Sequence, residues 1–107
     1  MKYKVQIDPQ AKQDLKEIFV YVAINDGIDS ANKLLDALEK TCYKLEEYPE
    51  RGHIPPELKP TGIKRYLEIH YKPYRVIYEI SKNIIYIHCV LDGRRNIQEI
   101  LSDRLLR

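Results

Sequence analysis

The sequence predicts an α+β fold in the order β-α-α-β-β-β-α, with a helical hairpin packed on one face of a small, mainly antiparallel sheet. Three observations predict it. Two long stretches with apolar residues at helical spacing occupy the first half, three stretches of strand-like alternation follow, and a short helical pattern comes last. The length of 107 residues suits one domain, so we expect residues 1–107 to form a single unit.

The first strand is predicted by the alternation of apolar and polar side chains over residues 3–7. Asp8 and Pro9 end this strand and begin a helix, because aspartate is a favoured N-cap residue and proline is tolerated in the first helical turn. The helix ends at the Asn-Asp-Gly sequence of residues 25–27. Its apolar stripe consists of Ala11, Leu15, Ile18, Phe19 and Val22.

A second helix is predicted to begin at Asp29 or Ser30 and to run until Tyr48 and Pro49 interrupt it. Its apolar stripe consists of Ala31, Leu34, Leu35, Leu38, Cys42 and Leu45. Because the link between the two helices is short, we expect an antiparallel hairpin. Residues 49–62 contain four of the six prolines and predict a connector without regular secondary structure.

Three strands are predicted next, at about Ile63–His70, Tyr74–Ser81 and Ile84–Leu91. A turn at Lys72-Pro73 joins the first pair and a tight turn at Lys82-Asn83 joins the second, because asparagine tolerates a positive φ.

The alternation of side chains assigns each strand residue to one of two sheet faces. One face would pack under the hairpin and consists of Leu67, Ile69, Val76, Tyr78, Ile80, Ile85, Ile87 and Cys89. The other face would stay open, since one hairpin covers one face, and consists of Lys64, Tyr66, Glu68, His70, Arg75, Glu79, Tyr86 and His88. A strand slip or a bulge would change this assignment.

A short last helix is predicted over Ile97–Leu106, with Asn96 as its N-cap and Glu99 completing the capping arrangement. A helix of about ten residues is marginal in water, so its apolar face should dock on the body of the protein or on a partner. That face consists of Ile97, Ile100, Leu101 and Leu105.

Charge is distributed unevenly along the chain, although the net charge is only +2. Residues 1–50 carry seven lysines and ten acidic residues, whereas residues 51–107 carry eleven basic and six acidic residues, including all seven arginines. Arginine suits phosphate and carboxylate partners, so the second half is where we expect contact with nucleic acid or an acidic protein. A solvated basic face is the alternative interpretation.

The sequence contains no motif typical of a metal site, a nucleotide-binding loop or a membrane span. The three histidines are isolated and glycine-rich phosphate loops are absent, so we expect no metal and no cofactor. Cys42 and Cys89 are expected to be reduced core residues, and the serines at 30, 81 and 102 to be structural. No apolar run approaches the ~18 residues of a membrane span, so we expect no membrane partner and a cytoplasmic location.

General acid–base chemistry on RNA is compatible with the polar sheet face. His70, Glu68, Glu79 and His88 are proton-transfer groups, and Arg75 and Lys64 could stabilise a phosphorane. Tyr66, Tyr71 and Tyr86 could stack on bases. A solvated polar face without catalysis is the alternative.

The chain resembles the RelE/ParE superfamily of toxins over nearly its whole length. The resemblance is carried by the segments DPQAKQDLKEIFVYV, LEEYPERG, YRVIYEI and VLDGRRNIQEIL, which occur in the family's order. The phrases PERGHIPPEL and GRRNIQEIL lean towards the ParE branch. ParE-type toxins are implied to bind DNA gyrase and trap its cleaved complex, whereas RelE-type toxins are implied to cut mRNA in the ribosomal A site.

For a RelE-type activity, the resemblance implies that Arg75 is the strand arginine and that Arg94 and Arg95 form the basic turn. The catalytic tyrosine of that branch falls on Leu101, which cannot transfer a proton. This departure counts against mRNA cleavage, although His88 or His70 could substitute.

The resemblance thus implies the toxin of a type II toxin–antitoxin system, inhibiting growth by binding gyrase and neutralised by an antitoxin in a hetero-oligomer. The alternatives are a metal-independent ribonuclease acting on ribosome-bound mRNA and an inactive toxin kept as a binding module. A ribonuclease would use Arg75, Arg95 and His88 as catalytic residues. The expected target-binding residues are Arg94, Arg95, Arg104, Arg107, Lys64 and Tyr66.

Overall fold

The computed structural model describes residues 2–106 and confirms the predicted fold class and order of elements. The elements are β1 (Lys4–Ile7), α1 (Pro9–Asp26), α2 (Ile28–Tyr43), β2 (Tyr66–Tyr71), β3 (Tyr74–Ser81), β4 (Ile84–Asp92) and α3 (Ile97–Leu105). Within that part of the chain, no helix combines the length and the apolar character that crossing a membrane requires.

The sheet is mixed, with the strand order β1-β4-β3-β2. β1 pairs in parallel with β4, and the other two pairings are antiparallel. β1 has only four residues and pairs with Ile84–Ile87, so the edge of β4 beyond Ile87 extends past its parallel neighbour. Backbone N–H groups at such an edge need other partners.

The hairpin of α1 and α2 packs on one sheet face, as predicted. This core consists of Ala11, Leu15, Leu38, Cys42, Leu45, Ile69, Tyr74, Val76, Tyr78, Ile85, Ile87 and Val90. The predicted helical stripes therefore face the sheet. Cys42 and Cys89 are both free and buried, and burial raises their thiol pKa values to about 12 and about 11, so both are protonated, unreactive core residues.

The prediction that the second sheet face is open is wrong for its centre. α3 and the connector cover it, forming a second core of Leu58, Tyr66, Ile77, Cys89, Leu91, Ile97, Leu101 and Leu105. Glu68 is fully buried there, with 0% of its surface exposed. The sequence left open whether α3 docks on the body of the protein or on a partner, and in the structure it docks on the body of the protein.

A β-bulge changes the face assignment in the middle of β4. Ile77 pairs with Cys89 whereas Tyr78 pairs with Ile87, which leaves His88 as an extra residue. Cys89 consequently lies on the same face as Ile77 and packs in the second core. Its predicted place under the hairpin is wrong because of this bulge.

Three local features of the structure differ from the prediction. The connector contains a 3-10 helix at Pro56–Thr61, where no regular element was expected. α2 ends at Tyr43 and continues as a 3-10 turn over Lys44–Glu46, before the predicted break. In the turn between β3 and β4 the positive φ, 58°, belongs to Lys82 and not to Asn83.

The connector is fixed to the sheet by Tyr78. Its hydroxyl donates to the carbonyl oxygen of Pro49 (2.8 Å) and accepts from the N–H of Gly52 (3.0 Å). A Cβ atom at Gly52 would lie 2.5 Å from that hydroxyl oxygen, so the close approach requires glycine. This contact places the following connector residues against β2 and β3.

Candidate functional site

Arg75 lies at the centre of a cluster of charged side chains, which we call the Arg75 cluster (His53, Glu57, Glu68, His70 and Arg75). Its guanidinium donates to both oxygens of Glu57 at 2.8 and 2.7 Å. It also donates to both oxygens of Glu68 at 2.6 and 2.8 Å. Four of its five N–H groups are thereby used, and its side chain is 14% exposed.

These bonds favour the ionised forms of Glu57 and Arg75. The hydrogen bonds from Arg75 keep the pKa of Glu57 below its usual range, and the two carboxylates raise the pKa of Arg75 further above its already high value. The guanidinium is therefore a permanent partner of two acidic side chains. It is not presented to solvent as a free cation.

The two histidines of the cluster both face Glu68. His70 Nε2 forms a hydrogen bond with Glu68 Oε1 at 2.9 Å, and His53 Nε2 lies 3.4 Å from Glu68 Oε2. Two backbone hydrogen bonds also join residues 53 and 68 in an isolated β-bridge. The connector thus brings His53 beside Glu68 of β2, although Glu68 lies 15 positions later in the sequence.

His88, a candidate proton-transfer group, lies between two carboxylates away from the Arg75 cluster. Its Nδ1 is 2.6 Å from Asp8 and its Nε2 is 2.9 Å from Glu79. Both ring nitrogens are therefore engaged by carboxylate oxygens. Asp8 is the N-cap residue of α1, as predicted, but its side chain makes no capping hydrogen bond and pairs with His88 instead.

Arg104, a predicted target-binding residue, points inward from α3. It donates to both oxygens of Asp14 in α1 at 2.7 Å, and its side chain is 18% exposed. Asp14 is 4% exposed and also accepts from the backbone N–H of Val90 at 3.0 Å, on the edge of β4 that β1 does not reach. The pair therefore ties both helices to this edge and raises the pKa of Arg104.

The turn after β4 exposes basic side chains. The guanidinium of Arg94 donates two hydrogen bonds to Asp92, but the side chain remains 73% exposed, and Arg95 is exposed as well. Gly93 donates its N–H to the carbonyl oxygen of Pro73, and a Cβ there would approach that oxygen to 2.8 Å. The close approach brings the exposed Lys72 next to this turn. We call Lys72, Arg94 and Arg95 the basic turn surface.

The remaining predicted contacts lie elsewhere. Lys64 is exposed at the other end of the sheet, and Tyr66 is 5% exposed in the second core, where a base could not stack on it. The guanidinium of Arg65 lies 4.9 Å from the Tyr66 ring centroid and is a basic group that the sequence analysis did not single out. Arg107 lies outside the described residues.

The structure therefore divides the predicted catalytic residues. Arg75 and His70 belong to the Arg75 cluster, His88 belongs to a separate ion-pair group, and Arg95 lies at the surface. Leu101 is fully buried in the second core. Glu57 was missed, since a connector residue without a strand or helix pattern gives no signal of where it lies.

Comparison with known sequences identifies related toxins. Residues 5–97 match the family model described as the ParE toxin of the type II toxin–antitoxin system, parDE. Toxin ParE3 of Caulobacter vibrioides is 30% identical over 91 residues, which cover 85% of this chain and 87% of that protein.

Solved structures show the same fold. The chromosomal ParDE toxin–antitoxin system of P. aeruginosa matches with a TM-score of 0.70 at 14% identity, covering 83% of this chain and 94% of that one. The toxin–antitoxin complex RelBE2 of Mycobacterium tuberculosis matches with a TM-score of 0.60 at 19% identity, covering 84% and 96%. A variant of the E. coli toxin RelE in the free state matches with a TM-score of 0.64 at 16% identity, covering 100% and 98%.

The sequence matches span most of the chain, and the fold agrees with them. The resemblance found in the sequence is confirmed: this chain belongs to the ParE toxins of type II toxin–antitoxin systems, within the RelE/ParE superfamily.

Proposed function

We propose that the chain inhibits growth by binding DNA gyrase, without cutting RNA. The observation that carries this proposal is the saturation of Arg75 by Glu57 and Glu68. A ribonuclease needs a cation free to meet the negative charge that develops on the phosphate. Here the strand arginine is held by two carboxylates, whose negative charge would also repel an RNA phosphate.

The candidate proton-transfer groups support the same proposal. His88 has both ring nitrogens engaged by Asp8 and Glu79, so neither is free to accept a proton from a ribose hydroxyl. The position of the catalytic tyrosine holds Leu101, which is buried and has no polar atom in its side chain. A binding mechanism needs none of these groups.

The basic turn surface is the proposed contact with gyrase. Arg94 and Arg95 project from a turn that the close packing of Gly93 holds against the β2–β3 turn. Exposed guanidinium groups on a rigid turn suit the phosphate and carboxylate groups of a protein–DNA complex. Gyrase is a cytoplasmic enzyme, so this proposal implies a cytoplasmic location.

A cognate antitoxin is the second proposed partner, in a toxin–antitoxin hetero-oligomer. Two of the similar structures are toxin–antitoxin assemblies, ParDE and RelBE2. The chain also exposes apolar side chains around the tip of the helical hairpin, at Val20, Tyr21, Ile24 and Ile28. Contiguous exposed apolar residues are typical of a surface that a partner covers.

The experiment is a supercoiling reaction with purified gyrase and relaxed plasmid, titrated with the purified chain. We expect supercoiling to stop as the chain approaches the concentration of gyrase, and linear plasmid to appear after denaturation. An equal amount of the chain mixed with its antitoxin should leave the reaction unaffected. Unchanged supercoiling over the full titration would overturn the gyrase proposal.

A further inference from the structure

We propose that His53, Glu68 and His70 form a binding site for a divalent transition-metal ion with the preferences of Zn²⁺. Each residue offers one ligand atom, and these atoms lie within 4.8 Å of one another. Two imidazoles and one carboxylate are a donor set that zinc and related ions bind in proteins. No spacing of residues in the sequence indicates this site, because the ligands come from the connector and from alternate positions of β2.

The separations between the donor atoms fit a tetrahedral ion. Zinc bonds to nitrogen and oxygen of about 2.1 Å place two ligand atoms roughly 3.4 Å apart. The separations are 3.4 Å between Glu68 Oε2 and His53 Nε2 and 2.9 Å between Glu68 Oε1 and His70 Nε2, so each imidazole faces a different oxygen of the carboxylate. An ion between the three groups requires side-chain rotations that adjust the ligand atoms from their present spread, which is within 4.8 Å, to the tetrahedral separation.

The backbone holds the ligands in place before an ion arrives. The β-bridge between His53 and Glu68 consists of two hydrogen bonds of 3.1 and 2.7 Å, and His70 follows Glu68 on the same face of β2. Arg75 binds one side of the Glu68 carboxylate and orients it, as supporting hydrogen bonds do for metal-binding carboxylates.

The charge of the cluster also favours a cation. Glu57 and Glu68 carry two negative charges against the single positive charge of Arg75. Glu68 is fully buried, and a buried negative charge needs compensation. Arg75 uses one acceptor position on each Glu68 oxygen, and the oxygens also face the two imidazoles.

An ion has access to this place from solvent. The side chains of His53 and His70 are 55% and 41% exposed. They line a surface groove of about 320 Å³ together with Pro56, Lys72 and Pro73. The groove leaves room for a water molecule as the fourth ligand. Metal binding would also fasten the connector to β2, whichever macromolecule the toxin targets.

Titration of the purified, tag-free chain with Co²⁺ tests the proposal, because tetrahedral cobalt absorbs visible light. We expect a saturable absorption band at one ion per chain, which Zn²⁺ displaces, and a higher melting temperature with Zn²⁺ that a chelator reverses. Substitutions His53→Gln and His70→Gln should each weaken binding at least about tenfold. The matched control His88→Gln removes a histidine outside the site and should bind as the original chain does.

His53 is mostly exposed, so His53→Gln should fold like the original chain. If His70→Gln does not fold, His53→Gln alone still tests whether removing one ligand weakens metal binding. Absence of the band and of any zinc-dependent change in melting temperature would overturn the proposal. Binding that persists undiminished in folded His53→Gln would overturn it too, because the ion would then lie elsewhere.

Discussion

Replacing Asp14 by alanine is expected to lower the free energy of unfolding by about 3 kcal/mol, the low end of the range for breaking one partner out of a buried ion pair. The substitution leaves the guanidinium of Arg104 without its carboxylate and the N–H of Val90 without its acceptor. Most folded domains are stable by only about 5–15 kcal/mol, so this loss is large. Equilibrium unfolding in urea measures it.

Two further variants sharpen this prediction. Asp36→Ala removes an exposed aspartate from α2 and should change stability by less than about 0.5 kcal/mol. The pair Asp14→Leu with Arg104→Met should cost less than Asp14→Ala alone, because no charge is left buried without a partner. A loss below about 1 kcal/mol for Asp14→Ala would show that the pair does not hold α3 and β4 together.

Reversing the charge of the basic turn surface with Arg94→Glu and Arg95→Glu is expected to weaken gyrase inhibition by about 100-fold. Like charges across an interface repel, and two reversals replace attraction by repulsion at the proposed contact. Both side chains are exposed, so the melting temperature should stay near that of the original chain. The concentration giving half-inhibition of supercoiling measures the effect.

The matched control for this variant is Lys33→Glu with Lys16→Glu. These lysines are exposed on the helical hairpin, and the double reversal changes the net charge by the same amount. It should leave the half-inhibiting concentration within about threefold of the original, because these lysines lie outside the proposed contact. If inhibition depended only on net charge, the two double variants would lose it equally. Equal losses in the two variants would contradict a specific contact at the turn after β4.

The fold was predictable because its signals are local and repeat along the chain. The alternation over Tyr74–Ser81 gave the bounds of β3 that the structure shows. The capping of α3 is likewise local: the side chain of Asn96 accepts from the N–H of Glu99 at 3.1 Å, as predicted. Patterns within a few residues are enough for such elements.

The candidate site was less predictable because it depends on packing between distant segments. Hairpin pairing of β2 and β3 brings Glu68 near Arg75, and the alternation of side chains had placed both residues on the same sheet face. The contact of Glu57 with Arg75 depends on how the connector folds over the sheet. No periodic pattern of apolar residues in the connector predicts that path. Asp14 is buried against the part of the β4 edge that the short β1 leaves unpaired, and the sequence pattern does not show where β1 stops pairing with β4.

The bulge at His88 shows the same limit within one strand. Strand parity assumes an uninterrupted ladder, so one extra residue moves every later side chain to the other face. Cys89 and Val90 exchange faces for this reason, whereas Ile85 and Ile87 before the bulge lie where parity places them. Nothing in the local composition around residues 87–89 marks the interruption.

In the proposed mechanism, the strand arginine is structural and growth arrest follows from inhibition of gyrase. Cells arrested by the chain should be examined at one time point for the topology of a reporter plasmid and the integrity of its mRNA. We expect plasmid that has lost supercoiling or become linear, together with full-length mRNA by primer extension. Normally supercoiled plasmid with mRNA cut within its codons would contradict this mechanism.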